Sequence, residues 1–99
     1  MNEKLKGTCL IEIGGDSCAN CIAVMPVMSE LAAQFGLKFV RINIEENPEL
    51  ASGFEIDRIP AIILADNGKV FAQCSGYQPH EILEMWIQAK IEQYEKIKK

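Results

Sequence analysis

The chain has 99 residues, 48% hydrophobic and 24% charged, a composition that suits one folded domain over residues 1–99 and excludes a disordered protein. Ten Lys and Arg face 14 Asp and Glu, and a net charge of −4 argues against nonspecific nucleic-acid binding, which needs a cationic face. No apolar run approaches the roughly 20 residues of a membrane helix, and the opening Met1 to Gly7 has no apolar signal core, so a cytoplasmic chain with no membrane partner is expected.

Thr8 to Ile13 is β-branched and apolar apart from Glu12 and stops at Gly14-Gly15. It reads as a strand buried on both faces, as in parallel sheets. Asp16 or Ser17 is suited to cap the helix that follows from Cys18 to Phe35. Its apolar positions are Ile22, Met25, Met28, Leu31, Ala32 and Phe35, Gly36 supplies the left-handed stop, and Pro26 lies inside it as a kink. Leu37 to Ile44 is a second strand, with Val40, Ile42 and Ile44 on one side and Arg41 and Asn43 on the other.

Asn47-Pro48-Glu49 predicts a short helix with a capping Asn, Pro at its first position and an acid in its first turn. Ala61 to Ala65 is a continuous apolar strand. Asn67-Gly68 is a hairpin signal that returns the chain through Val70 to Cys74. After Pro79 a last helix runs from His80 to about Tyr94 and frays into the lysine-rich end. Ile82, Met85, Trp86 and Tyr94 read as its inner face, and His80 as a solvated residue. The order strand, helix, strand, helix, strand, strand, helix implies a mixed four-stranded sheet with helices on both faces.

Four cysteines are too few and too unevenly spaced for a secreted disulfide scaffold. Cys9 and Cys74 lie in strand-like runs and read as small buried hydrophobes. Cys18-Ala19-Asn20-Cys21 begins a helix, where free backbone N–H groups and the helix dipole favour a thiolate. Asp16 opposes that effect electrostatically. A bridge closing four residues restrains the unfolded chain by about 2 kcal/mol, against about 4 for Cys18 to Cys74. The short loop suits a bond that is made and broken. Glu12, between two isoleucines of a buried strand, is expected to have a raised pKa. Arg41 reads as a sheet-edge or surface cation, with a place beside Glu12 as the lesser alternative.

From Leu10 to about Ala89 the chain resembles the thioredoxin family. The resemblance rests on Cys18-Ala19-Asn20-Cys21, on Pro26 five residues later, on Arg41 to Pro48, on Arg58-Ile59-Pro60-Ala61, on Asn67-Gly68 and on Ser75-Gly76. These residues lack the extra N-terminal strand and helix that many members carry. It implies a three-layer α/β/α sandwich and a thiol–disulfide oxidoreductase that reduces protein disulfides, serving electron transport and cell redox homeostasis. Cys18 would attack, Cys21 resolve, and Glu12, at the place of the family's buried acid, move the proton. Ile59-Pro60 would be cis and, with Gly76, Ala19 and Asn20, form the docking groove. A separate reductase would supply electrons to a monomer with no bound cofactor or metal. Ser17, Ala19-Asn20 and Ile22 depart from the family's Trp, Gly-Pro and Lys, which bears on redox potential rather than reaction type. Two alternatives stay open: a copper or zinc module using the same two thiolates, and a noncatalytic adaptor.

Overall fold

Each strand of the sheet is short and apolar enough to be buried on both sides, so helices are needed on both faces. The computed structural model describes residues 3–98 and shows that arrangement. A 3-10 turn (Glu3–Leu5) leads into β1 (Thr8–Gly14), followed by α1 (Ala19–Phe35), β2 (Lys38–Asn43), α2 (Pro48–Ser52), β3 (Ala61–Asp66), β4 (Lys69–Ser75) and α3 (His80–Lys98). The sheet order is β2-β1-β3-β4. β1 and β2 are parallel, while β3 runs antiparallel to both β1 and β4. Among the described residues no helix is long and apolar enough to cross a membrane.

Strand periodicity sorts the core into two halves. Cys9, Ile11, Ile13, Val40, Ile42, Ala61, Ile63 and Ala65 face α2, with Ala51, Phe54 and Leu5. Leu10, Ile62 and Leu64 face the opposite way, against Val24, Met28, Leu31 and Ala32 of α1 and Leu83 and Ile87 of α3. Glu12 alternates with Ile11 and Ile13, so it belongs to the α1 side. The turn behaves as its residues dictate: Asn67 (φ 51°) and Gly68 (φ 82°) both take the left-handed conformation of a tight hairpin.

Several expectations about the helices need correction. Cys18, not Asp16 or Ser17, caps α1, its sulfur accepting the Cys21 N–H at 3.2 Å. The Asp16 carboxylate instead accepts from Asn43 Nδ2. The buried stripe of α1 is Cys21, Val24, Met28, Leu31 and Ala32, which leaves Ile22 half exposed. Pro26 lies inside α1, as expected, and withholds the N–H that the Ile22 carbonyl would accept. Asn47 precedes α2 but makes no side-chain capping bond, while Asn43 Oδ1 accepts the N–H groups of Glu45 and Glu46 in the preceding turn.

α3 continues past Tyr94 to Lys98 and buries Leu83 and Ile87, while Ile82 and Met85 are exposed. Tyr94 extends the packing instead: its ring stacks on Phe71 at 4.0 Å and its hydroxyl donates to Asp66 at 2.8 Å. Lys98 Nζ also reaches Asp66, at 3.3 Å. These contacts hold the end that was expected to fray. His80 is not simply solvated, since its Nε2 stands 3.1 Å from Glu30 Oε1 of α1.

Candidate active site

Cys18 and Cys21 form a disulfide with Cα atoms 5.2 Å apart. One helical turn separates them, and the turn gives them different surroundings. Cys18 is partly exposed at the tip of α1, whereas Cys21 is fully buried. The Cys21 N–H directed at Cys18 Sγ is a free donor of the first helical turn, placed to stabilise negative charge on that sulfur once the bond opens. Cys9 is fully buried and Cys74 partly so. Burial raises the thiol pKa of both, that of Cys74 to about 11, which makes them poor nucleophiles at neutral pH.

Glu12 has no solvent exposure. Burial pushes its carboxyl from the ordinary range up to about 7, against the opposing pull of Arg41's charge and hydrogen bond. Arg41 is therefore not merely a surface cation. It lies opposite Glu12 in the parallel β1–β2 register, and its Nε sits 3.3 Å from Glu12 Oε1. Among the described residues Glu12 Oε2 has no hydrogen-bond partner, and it lies 3.0 Å from the point where a Cβ on Gly14 would stand. Cys21 Cβ lies 2.9 Å from that same point, so the carboxyl and the Cys21 side chain border one small chamber beside Gly14.

Ile59-Pro60 is cis. Ile59 Cδ1 comes within 3.3 Å of the Cβ position of Gly15, just ahead of the cysteine motif. The Gly76 N–H donates to the Pro60 carbonyl at 2.8 Å, and Gly76 takes a φ of 91° that favours glycine. Ile59, Pro60 and Gly76 are thus gathered near Gly15, three residues ahead of Cys18, with Ala19 and Asn20 exposed on the first turn of α1. Among the described residues no group of three or more His, Cys, Asp or Glu is placed to hold a metal ion.

A family model described as Thioredoxin matches residues 2–89. The chain belongs to the thioredoxin family. Among curated relatives, thioredoxin from Listeria monocytogenes is 32% identical over 84 residues, covering 83% of this chain and 82% of the relative. Thioredoxin from Alicyclobacillus acidocaldarius is 38% identical over 77 residues, covering 76% and 73%. Thioredoxin from Bacillus subtilis is 31% identical over 84 residues, covering 83% and 81%. The membership and the close cysteine pair make this thioredoxin-family chain a thiol–disulfide oxidoreductase with protein-disulfide reductase activity.

Gly14 escaped the sequence reading, and a place for Arg41 beside Glu12 was there only the lesser alternative. Arg41 could have been placed by noting that two parallel strands joined by one crossover align Glu12 and Arg41 on the same face. Gly14 read only as the end of a strand, because nothing local distinguishes a glycine needed for space from one that ends an element.

Proposed function

We propose that Cys18 is the attacking thiol, Cys21 the resolving thiol and Glu12 the proton carrier between Cys21 and solvent. The reading rests on one observation above all: a buried carboxyl with a pKa near 7 shares a chamber with the buried cysteine of the pair. Cys18, at the exposed tip, attacks a substrate disulfide and forms a mixed disulfide. Cys21 gives its proton to Glu12 and, as thiolate, attacks Cys18 Sγ; the substrate thiol is released and the Cys18–Cys21 bond forms. A separate reductase returns two electrons to that bond.

Substrates are extended segments of disulfide-containing proteins. They lie across Ile59, Pro60 and Gly76, pair with the backbone at Ile59 as an added strand, and contact Ala19 and Asn20. The reducing direction suits a cytoplasmic setting, and the open groove suits a monomer.

The test is mass mapping after limiting iodoacetamide at neutral pH on the reduced protein. Cys18 takes the label first, and Cys21→Ser traps substrates as mixed disulfides on Cys18. Preferential labelling of Cys21 or Cys74 would reverse the assignment.

A further inference from the structure

The backbone at Gly14 does not require glycine: the residue closes β1, and its φ is not among the positive values. Space requires it. A Cβ there would stand 2.9 Å from Arg41 Nη2, 2.9 Å from Cys21 Cβ and 3.0 Å from Glu12 Oε2, so these three groups lie within about 6 Å of one another. They come from β2, α1 and β1, and meet only because nothing projects from Gly14.

Among the described residues Arg41 is the cation that reaches this point and acts on Glu12. Its side chain is 24% exposed and that of Glu12 fully buried, so Arg41 stands on the solvent side of the carboxyl it pairs with. It is steadied by Nε against Glu12 Oε1 at 3.3 Å and by Nη2 donating to the Gly15 carbonyl at 3.5 Å. Two further acids lie nearby, and Glu45 Oε1 stands 3.0 Å from the point where a Cβ on Gly15 would be. Asp16 and Glu45 are both exposed, Asp16 taking the Asn43 amide and Glu45 the Asp16 N–H. The buried groups able to carry negative charge are Glu12 and Cys21, with Cys18, Asp16 and Glu45 at the rim.

We propose that Gly14 is a positioning residue for the proton transfer from Cys21 to Glu12, its empty side allowing the single guanidinium of Arg41 to neutralise whichever of the two carries the negative charge. This deepens the function proposed above and rests on its assignment of Cys21 as the resolving thiol.

Before transfer the charge is on the Glu12 carboxylate, and after it on the Cys21 thiolate. Moving a buried negative charge away from its only cation is costly, whereas a cation within reach of both sites keeps the two states close in energy. The step balances. The Cys21 proton passes to Glu12, and the thiolate attacks Cys18 Sγ. The bond between Cys18 and the substrate breaks, and the substrate sulfur leaves with the electron pair and takes a proton from water. The dithiol loses two electrons and the substrate disulfide gains them.

The experiment mixes reduced protein with oxidised glutathione, quenches with acid and follows the glutathione adduct on Cys18 by mass spectrometry from pH 6 to 9. In Gly14→Ala the new methyl displaces the guanidinium, the adduct survives about tenfold longer near pH 7, the equivalent of one pKa unit on Cys21, and the pH midpoint of the resolving step moves up. Arg41→Gln has the same effect, Arg41→Lys restores most of the lost rate, and Gly14→Ala with Arg41→Gln is no slower than Arg41→Gln alone, since both act through one guanidinium. A folded Gly14→Ala with the wild-type adduct lifetime overturns the proposal, as does a double variant whose losses multiply. Should Gly14→Ala fail to fold, the Arg41 pair decides: Arg41→Lys as slow as Arg41→Gln overturns it. If Cys21→Ser accumulates no adduct on Cys18, the failure lies instead in the underlying assignment of roles.

Discussion

Glu12 combines full burial with a carboxyl that titrates near 7, and Arg41 at 3.3 Å offsets only part of the cost of burial. Its pKa is higher in the folded chain, about 7, than the ordinary 4.5, so the fold binds this proton more tightly than the unfolded chain does. The stabilisation is complete below pH 4.5 and is lost as pH rises through 7, amounting to about 3 kcal/mol across that window. Glu12→Gln flattens this dependence and leaves the protein at least as stable at pH 8, measured by urea unfolding at a series of pH values. The same variant slows disulfide exchange, because no group in the chamber then accepts the Cys21 proton. Exchange rates unchanged from pH 6 to 9 would assign Glu12 a purely structural role. The sequence announced this residue clearly, since an acid between isoleucines of a buried strand has no solvated explanation. Its partner was less legible, because the Glu12–Arg41 contact spans 29 residues and depends on strand register.

Among the elements, α3 shows how far periodicity carries. Large apolar residues occur at 82, 83, 85, 86, 87, 91 and 97, enough to cover more than half of the helix circumference, so more than one stripe fits the pattern. Packing against β4 and α1 chooses the stripe with Leu83 and Ile87, both fully buried, and leaves Met85 68% exposed. Leu83→Ala therefore lowers the unfolding free energy by about 3 kcal/mol, while Met85→Ala changes it by less than about 0.5 kcal/mol. Denaturant titration of the two variants checks the difference, and equal losses would contradict the observed orientation. The C-terminal turns of α3 depend on Asp66 at the end of β3, which receives both Tyr94 Oη and Lys98 Nζ. Asp66→Ala removes both anchors, and amide exchange in the last two turns accelerates relative to the first three. Neither partner was visible from α3 alone.

On the scale of the whole molecule, two apolar layers sandwich the sheet, and the disulfide sits outside both, at the end of the sheet where β1 gives way to α1. The fold accordingly owes little to that bond. Reducing it restores freedom to a loop of four residues in the unfolded chain and lowers stability by about 2 kcal/mol. Unfolding of the oxidised protein and of protein held in excess dithiothreitol measures the difference. A loss near 4 kcal/mol would mean that the bond also maintains the loops around Ile59 and Gly76. A bond that opens at small cost to the fold suits a chain that alternates between disulfide and dithiol in every cycle.

The order of elements, the Asn67-Gly68 hairpin, the stop at Gly36 and the placing of Cys18 and Cys21 at a helix start were all determined by the sequence alone. Each depends on interactions within a few residues: turn chemistry, helix termini and apolar periodicity. The strand order β2-β1-β3-β4, the pairing of Glu12 with Arg41, the Pro60–Gly76 hydrogen bond and the crowding at Gly14 were decided only by the tertiary structure. They join residues far apart in the chain through register and packing, and a one-residue shift of β2 would turn Arg41 to the opposite face, away from Glu12.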